Sequence, residues 1–317
     1  APYFSMAMER LRSGGPLPGR GFYSAGRGAY SGGMPWVRGG SAPRRAERRN
    51  RLNALQGLIL GIVQGLTEFL PISSSGHLLV LQTIFGIDTD GQLLLNILLH
   101  LGTLVAVFAV YWRRIWNMIC HPIQSDLKWL VIATIPAVIA ALVVNFDAAF
   151  EGQFIIWSFY LTSIVLVAGD MIGKWRRWNH RLHKQVNLGD AAAMGLMQAV
   201  AILPGLSRSG STISAGVASG LTRKRAADFS FLMSIPAILG SLVLELKGIV
   251  LDGEPIGDIT FLPTFLGVVA AAVFGFIAIK GMLKLIRRIS MKWFALYTFL
   301  LGTFLLLDKY VFKIWFV

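Results

Sequence analysis

Residues 61–77 read Gly61-Ile-Val-Gln64-Gly-Leu-Thr-Glu68-Phe-Leu-Pro71-Ile-Ser73-Ser74-Ser75-Gly76-His77, an apolar half-helix that runs into a proline and then a serine and glycine cluster. Residues 195–210, Gly195-Leu-Met-Gln198-Ala-Val-Ala-Ile-Leu-Pro204-Gly205-Leu-Ser207-Arg208-Ser209-Gly210, repeat that pattern. Gly61, Gln64, Ser73, Ser75 and Gly76 answer Gly195, Gln198, Ser207, Ser209 and Gly210 at one offset of 134. The chain therefore reads as an internal duplication, with halves of about 52–173 and 189–316. Apolar segments interrupted by Gly and Pro at matching places in two halves point to a site near the middle of a membrane.

Outward from these two segments the sequence is a series of apolar stretches, at about 54–83, 92–112, 127–147, 154–173, 189–216, 228–249, 261–283 and 293–316. Each approaches the roughly 20 residues that a helix needs to cross about 30 Å of hydrocarbon. Lipid cannot satisfy backbone polar groups, so the spanning elements are expected to be helices. The 317 residues are 55% hydrophobic and 15% charged, with a mean hydropathy of +0.61, which excludes an ordinary water-soluble fold. The expected fold class is an all-α polytopic membrane protein with about six transmembrane helices and two re-entrant helical hairpins, related by an inverted internal repeat.

Loop charge sets the orientation. Basic loops occur at 113–128, 174–188, 222–227 and 280–292, and acidic ones at 88–90, 147–151 and 252–258. Cytoplasmic loops carry the excess of Lys and Arg. Segment 189–216 then has both ends on the cytoplasmic side, as a hairpin that dips in and returns. The inverted mate, 54–83, would have both ends outside, in keeping with Asp88 and Asp90.

Residues 1–51 are a different material, with ten Gly, five Pro and ten Arg beside only Glu9 and Glu47. They show no helical or strand period, so they are expected to be disordered. A +8 tail outside the membrane would violate the charge rule that orients the first hairpin. The tail is therefore read as non-native, the product of an upstream start, or else segment 54–83 spans after all. A targeting leader and an RNA-binding tail are the other readings, but no nucleic-acid motif accompanies the charge, and no nucleic-acid partner is expected. Cys120 is the single cysteine, which rules out an intramolecular disulfide, a CxxC metal site and thiol-pair redox chemistry.

The chemistry concentrates at the two breaks. Gln64 and Glu68 are four apart, hence on one helical face, and could hold a divalent cation. A carboxylate at this depth costs about 2.5–3.5 kcal/mol on insertion scales and is by default functional. Serine can cap the half-helix that follows the break and leave its first N–H groups for an anion. Ser74 and His77 lie within one turn, and a hydroxyl beside an imidazole is the minimum pairing for an activated nucleophile, with Glu68 as a third group. The second break places Arg208 among Ser207, Ser209, Ser211 and Thr212, a dense set of donors for phosphate oxygens. Together the breaks describe a phosphate-ester or pyrophosphate site.

Other polar residues say less. Asn96 and His100, one turn apart, could line the cavity but are expected rather to make interhelical hydrogen bonds, His180 and His183 to be solvated, and Glu245 and Lys247 to form an interfacial pair. Thr134-Ile-Pro-Ala and Ser234-Ile-Pro-Ala, at an offset of 100, read as two proline-kinked helices outside the main repeat.

The two motifs, Gln64 through His77 and Pro204-Gly-Leu-Ser207-Arg208-Ser209-Gly-Ser-Thr212, resemble those of the undecaprenyl-diphosphate phosphatases of the bacitracin-resistance type. The resemblance covers residues 52–317. It implies a multi-pass enzyme of the bacterial cytoplasmic membrane that hydrolyses undecaprenyl diphosphate to undecaprenyl phosphate and inorganic phosphate, which recycles the lipid carrier of peptidoglycan synthesis and confers bacitracin resistance. It implies Glu68 as the essential acid, Ser74 and His77 as nucleophile and base, and Arg208 as the phosphate-binding arginine, with Ser207, Ser209, Thr212 and Ser73 around the phosphate. It implies a divalent cation as well, Mg2+ or Ca2+, with Glu68 and Gln64 as ligands. The family pattern allows Glu or Gln at position 64, so the second carboxylate is absent here. The implied partners are a polyprenyl diphosphate lipid and the bilayer, with homodimerisation left open. Water as the nucleophile, activated by His77 or Glu68, stays an alternative to Ser74. A transporter of lipid phosphate, built on the same broken helices without a nucleophile, is the alternative function.

Overall fold

The computed structural model describes residues 52–87, 93–144, 154–251 and 260–315. The tail 1–51 and the acidic residues Asp88, Asp90, Asp147, Glu151, Asp252, Glu254 and Asp258 lie outside the described residues, as does the side chain of Glu245. Regular structure among the described residues is helical: α1 (Ala54–Phe69), α2 (Ser74–Ile84), α3 (Leu93–Cys120), α4 (Leu127–Val143), α5 (Phe154–Trp178), α6 (Leu188–Val200), α7 (Arg208–Ser219), α8 (Arg223–Leu251), α9 (Phe261–Arg288) and α10 (Lys292–Leu307).

Five of these are long and apolar enough to cross a membrane: Leu94–Cys120, Phe154–Trp178, Arg223–Leu244, Phe261–Arg288 and, with its π-turn extension, Lys292–Phe312. Helix α4 is apolar but shorter, at 17 residues. The expected segments 54–83 and 189–216 are each broken, α1 from α2 around Pro71 and α6 from α7 around Pro204. Helices of 16, 11, 13 and 12 residues result. At about 1.5 Å per residue, none of the four alone covers the hydrocarbon.

Helical order also runs further than apolar content does. Helix α3 continues through Arg113 and Arg114 to Cys120, and α8 begins at Arg223 inside the expected 222–227 loop. Backbone hydrogen bonding continues there because the charged side chains find acids within reach. Asp126 binds Arg114 and Arg225 at 2.5 Å each. Asp170, fully buried in α5, binds Arg223 at 2.5 Å, Lys174 at 2.8 Å and the Ser290 hydroxyl at 2.8 Å. The basic ends of α3, α5, α8 and the α9–α10 turn are thereby tied together. His183, expected in solvent, is half-buried and bonded to Asp190 at 2.8 Å, because the 181–187 segment folds back on the start of α6. His180 is exposed.

Helix α1 lies on α9, and α6 lies on α4. Small residues allow this: a Cβ at Gly61 would fall 2.0 Å from the Gly267 carbonyl oxygen, and one at Gly195 would fall 2.5 Å from that of Ala133. Those two contacts are related by the 134-residue offset on both sides, Gly61 to Gly195 and Ala133 to Gly267. Each half thus lends its first short helix to the fourth helix of the other half. Close backbone approach through small residues is how helices associate where lipid removes the hydrophobic drive. Pro136 and Pro236 both lie inside helices, α4 and α8, as the shorter sequence echo suggested.

Candidate active site

The interleaving of halves carries the end of α1 to the start of α7. Each second half-helix opens on a serine cap: the Ser73 hydroxyl accepts from Gly76 N–H at 3.3 Å, and the Ser207 hydroxyl accepts from Gly210 N–H at 3.0 Å. The first helical residues, Ser74 and Arg208, occupy equivalent repeat positions and converge on one carboxylate. Ser74 Oγ donates to Glu68 Oε2 at 2.5 Å, and Arg208 Nη2 donates to Glu68 Oε1 at 2.5 Å. Gln64 Nε2 adds a bond to Oε2 at 3.1 Å. His100 Nε2 stands 3.7 Å from the same oxygen.

Glu68 is 7% exposed and Gln64 is fully buried. An unpaired carboxylate would not persist there, since burying one uncompensated charge costs several kcal/mol. The guanidinium and two neutral donors, Ser74 and Gln64, make the burial tolerable. Arg208 is held in turn by the Ser230 carbonyl at 3.4 Å. Phe69, fully buried, stacks edge-on against Phe231 at 5.4 Å and fixes the end of α1 against α8.

The two breaks are also stitched to each other. Ser209 Oγ donates to the Leu70 carbonyl at 2.8 Å, and Gly205 N–H donates to Ser75 Oγ at 3.4 Å. Thr162 on α5 accepts from Ser207 N–H at 3.1 Å, and the Thr212 and Ser230 hydroxyls meet at 2.7 Å. The hydroxyls expected around the phosphate, Ser73, Ser207, Ser209 and Thr212, are all buried and engaged with the breaks themselves. Their geometric role is to hold Arg208 and Ser74 in place. Ser73 does so with φ +74°, a strained conformation for a residue with a Cβ.

The pairing of Ser74 with His77 is not brought together. His77 Nδ1 bonds the Ser73 carbonyl at 2.6 Å and Nε2 bonds the Tyr297 hydroxyl at 2.7 Å, so both ring nitrogens are turned elsewhere. The serine proton faces Glu68. Asn96 does bond across helices, accepting from Gln82 at 2.9 Å. His100, one turn further on, stands at the Glu68 cluster, the cavity-lining place that was the less favoured of its two expected roles.

Among the described residues, no group of three or more His, Cys, Asp or Glu is placed to hold a metal. Gln64 Oε1 is buried with no hydrogen-bond partner. The Nε2 of the same amide bonds Glu68, so the two side chains together offer a small set of hard oxygen donors. Mg2+ is commonly held by one or two carboxylates together with substrate phosphates. The residues present therefore fit a cation that shares its ligands with a phosphorylated substrate.

A buried carboxylate, a serine hydroxyl on it, an arginine beside it and two helix starts thus meet at one place. The family model of bacitracin resistance protein BacA matches residues 57–304. The chain belongs to this family. It is 42% identical over 261 residues to an undecaprenyl-diphosphatase of Carboxydothermus hydrogenoformans, across 80% of this chain and 97% of that one. It is 38% identical over 262 residues to undecaprenyl-diphosphatase 4 of Bacillus thuringiensis, across 82% and 98% of the two chains. A relative in Methanobrevibacter smithii, also an undecaprenyl-diphosphatase, is 37% identical across 79% of this chain and 96% of its own. The family match takes in α1 through most of α10, including every residue of the cluster.

Proposed function

We propose that the chain hydrolyses undecaprenyl diphosphate to undecaprenyl phosphate and inorganic phosphate, recycling the lipid carrier of peptidoglycan synthesis in the bacterial cytoplasmic membrane and so conferring bacitracin resistance. The single observation that carries the chemistry is the convergence of Ser74 and Arg208 on Glu68. Arg208 holds the terminal phosphate, with the first-turn N–H groups of α2 and α7 as neighbouring donors. As the guanidinium turns from Glu68 to phosphate oxygen, the carboxylate becomes free to take the proton of Ser74 Oγ. The Oγ–P bond forms, the bridging P–O bond breaks, and undecaprenyl phosphate leaves with the electron pair. Water then attacks the phosphoserine with His77 taking its proton, the Oγ–P bond breaks as Glu68 returns its proton to Ser74 Oγ, and inorganic phosphate is released. Glu68 and Gln64 are the residues that would hold Mg2+ or Ca2+, which bound there would offset the charge of the diphosphate.

The finer architecture belongs to the same reading. Residues 52–317 act as one phosphatase unit, in which α3, α4, α5, α8, α9 and α10 span the bilayer and the pairs α1–α2 and α6–α7 enter and return as inverted hairpins. The equivalent contacts of Gly61 on Gly267 and Gly195 on Ala133 support the repeat. The breaks put Glu68 deep in the protein, and the polyprenyl chain lies along the apolar helix surfaces in the bilayer.

The test is phosphate release from a polyprenyl diphosphate by the full chain in detergent, with and without a divalent cation. Cation-dependent release that is lost in Arg208→Ala supports the reading. Folded protein that binds the lipid and releases no phosphate would overturn it in favour of transport.

A further inference from the structure

His77 is held at both ring nitrogens. A carbonyl oxygen only accepts, so the 2.6 Å contact with Ser73 places the ring proton on Nδ1. In the neutral ring Nε2 is then the bare acceptor, and the Tyr297 hydroxyl donates to it across 2.7 Å. The phenol also stacks on the imidazole, with centroids 5.6 Å apart and planes 8° apart, while Phe159 meets the imidazole edge-on at 5.7 Å. The lone pair that a base needs is therefore occupied by a residue 220 positions away in sequence.

The place of Tyr297 gives this contact its meaning. Helix α10 packs mainly on α5, and α2 packs mainly on α1. The phenol reaches from one pair to the other while its outer side remains exposed.

We propose that Tyr297 is a positioning residue for this site: its hydroxyl caps the Nε2 lone pair of His77 in the substrate-free protein and is given up when substrate binds, which frees the base. The proposal rests on the reading of His77 as a base given above. It assigns Tyr297 no contact with the reacting phosphorus. Substrate binding opens one hydrogen bond, and the imidazole keeps its tautomer because the Ser73 carbonyl stays on Nδ1.

Tyr297→Phe keeps the ring stack and removes the donor. The substrate-free full chain is treated with diethyl pyrocarbonate, and ethoxycarbonylation of the His77 peptide is followed by mass. In that probe reaction the Nε2 lone pair attacks the carbonyl, a C–O bond breaks to release ethyl carbonate, and the Nδ1 proton is lost. One hydrogen bond of about 1 kcal/mol corresponds to roughly a fivefold faster modification of His77 in the variant. The exposed His121 and His180 should react at unchanged rates and serve as internal controls. Equal His77 rates in the two proteins would overturn the proposal.

The kinetic arm reads the same step. Tyr297→Phe should lower KM for the polyprenyl diphosphate by about fivefold and leave kcat within about twofold, since binding no longer opens the bond. A fall in kcat at unchanged KM would instead make Tyr297 a participant in chemistry and overturn its role as a cap. If the unaltered protein released no phosphate, the phosphatase reading would fail while the labelling arm still reported on the cap. Should the variant not fold, nitrogen NMR of His77 in the unaltered chain decides: a protonated Nδ1 and a bare, hydrogen-bonded Nε2 are expected, and a protonated Nε2 overturns the proposal.

Discussion

Removing one partner of the Glu68–Arg208 pair should cost more stability than removing both. Arg208→Met leaves Glu68 buried at 7% exposure, with only Gln64, Ser74 and His100 around it. Stranding one charge of a buried pair costs about 3–5 kcal/mol in general. The remaining donors bring the expectation here to about 2–3 kcal/mol. Glu68→Gln leaves a guanidinium whose side chain is 16% exposed and which keeps the Ser230 carbonyl, so that loss is nearer about 1–2 kcal/mol. The double variant, Glu68→Gln with Arg208→Met, carries no buried charge. It should lose only about 1 kcal/mol, a coupling of about 2–4 kcal/mol. Reversible chemical unfolding of the four proteins in one detergent measures each difference. All three variants should be inactive, so stability alone is compared. Additive losses, with the double variant the least stable, would mean that the ion pair does not form and would remove the geometric basis of the site.

Three further outcomes follow from packing and strain. Gly61→Ala puts a Cβ 2.0 Å from the Gly267 carbonyl oxygen, so α1 must move off α9; a loss of about 3 kcal/mol in unfolding and a fall in phosphate release are expected together, because Glu68 rides on the end of α1. Ser73→Ala removes a cap and keeps the strain at φ +74°, costing about 1–2 kcal/mol, whereas Ser73→Gly relieves the strain and should lie within about 0.5 kcal/mol of the unaltered chain by thermal unfolding. The same pair of changes at Ser207, whose φ is −63°, should show no such advantage for Gly. Asp170→Asn leaves Arg223 and Lys174 beside a neutral amide, so a loss of about 2–4 kcal/mol is expected, seen as earlier proteolysis at the 174–188 segment.

The helices and their breaks were legible because lipid leaves the chain little choice: apolar length gives the spans, and Pro71 and Pro204 with their serine and glycine neighbours give the interruptions. Glu68, Gln64, Ser74 and Arg208 were legible for the same reason, since polar groups stand out in an apolar run. Partner choice was not. Spacing along one helix puts Ser74 beside His77, yet the serine turns to Glu68 on the preceding helix, and the imidazole turns to Tyr297 on α10. Such pairings depend on how distant segments cross, which no local period encodes. The intramembrane rule that singled out Glu68 applies equally to Asp170, whose neighbours in the apolar 154–173 run give it the same prominence. Its three partners show it to be a tie between helix ends. The bonds of Ser209 to the Leu70 carbonyl, of Thr212 to the Arg208 carbonyl and of the Ser207 hydroxyl from Gly210 N–H become visible only in three dimensions.

In the proposed reaction Ser74, activated by Glu68 and aligned by Arg208, receives the terminal phosphate. Polyprenyl diphosphate labelled on its terminal phosphorus, mixed with the full chain and quenched in acid during turnover, tests it directly. Label on Ser74 and loss of turnover in Ser74→Ala are expected. Sustained turnover by Ser74→Ala, with no label on the unaltered chain, would contradict it.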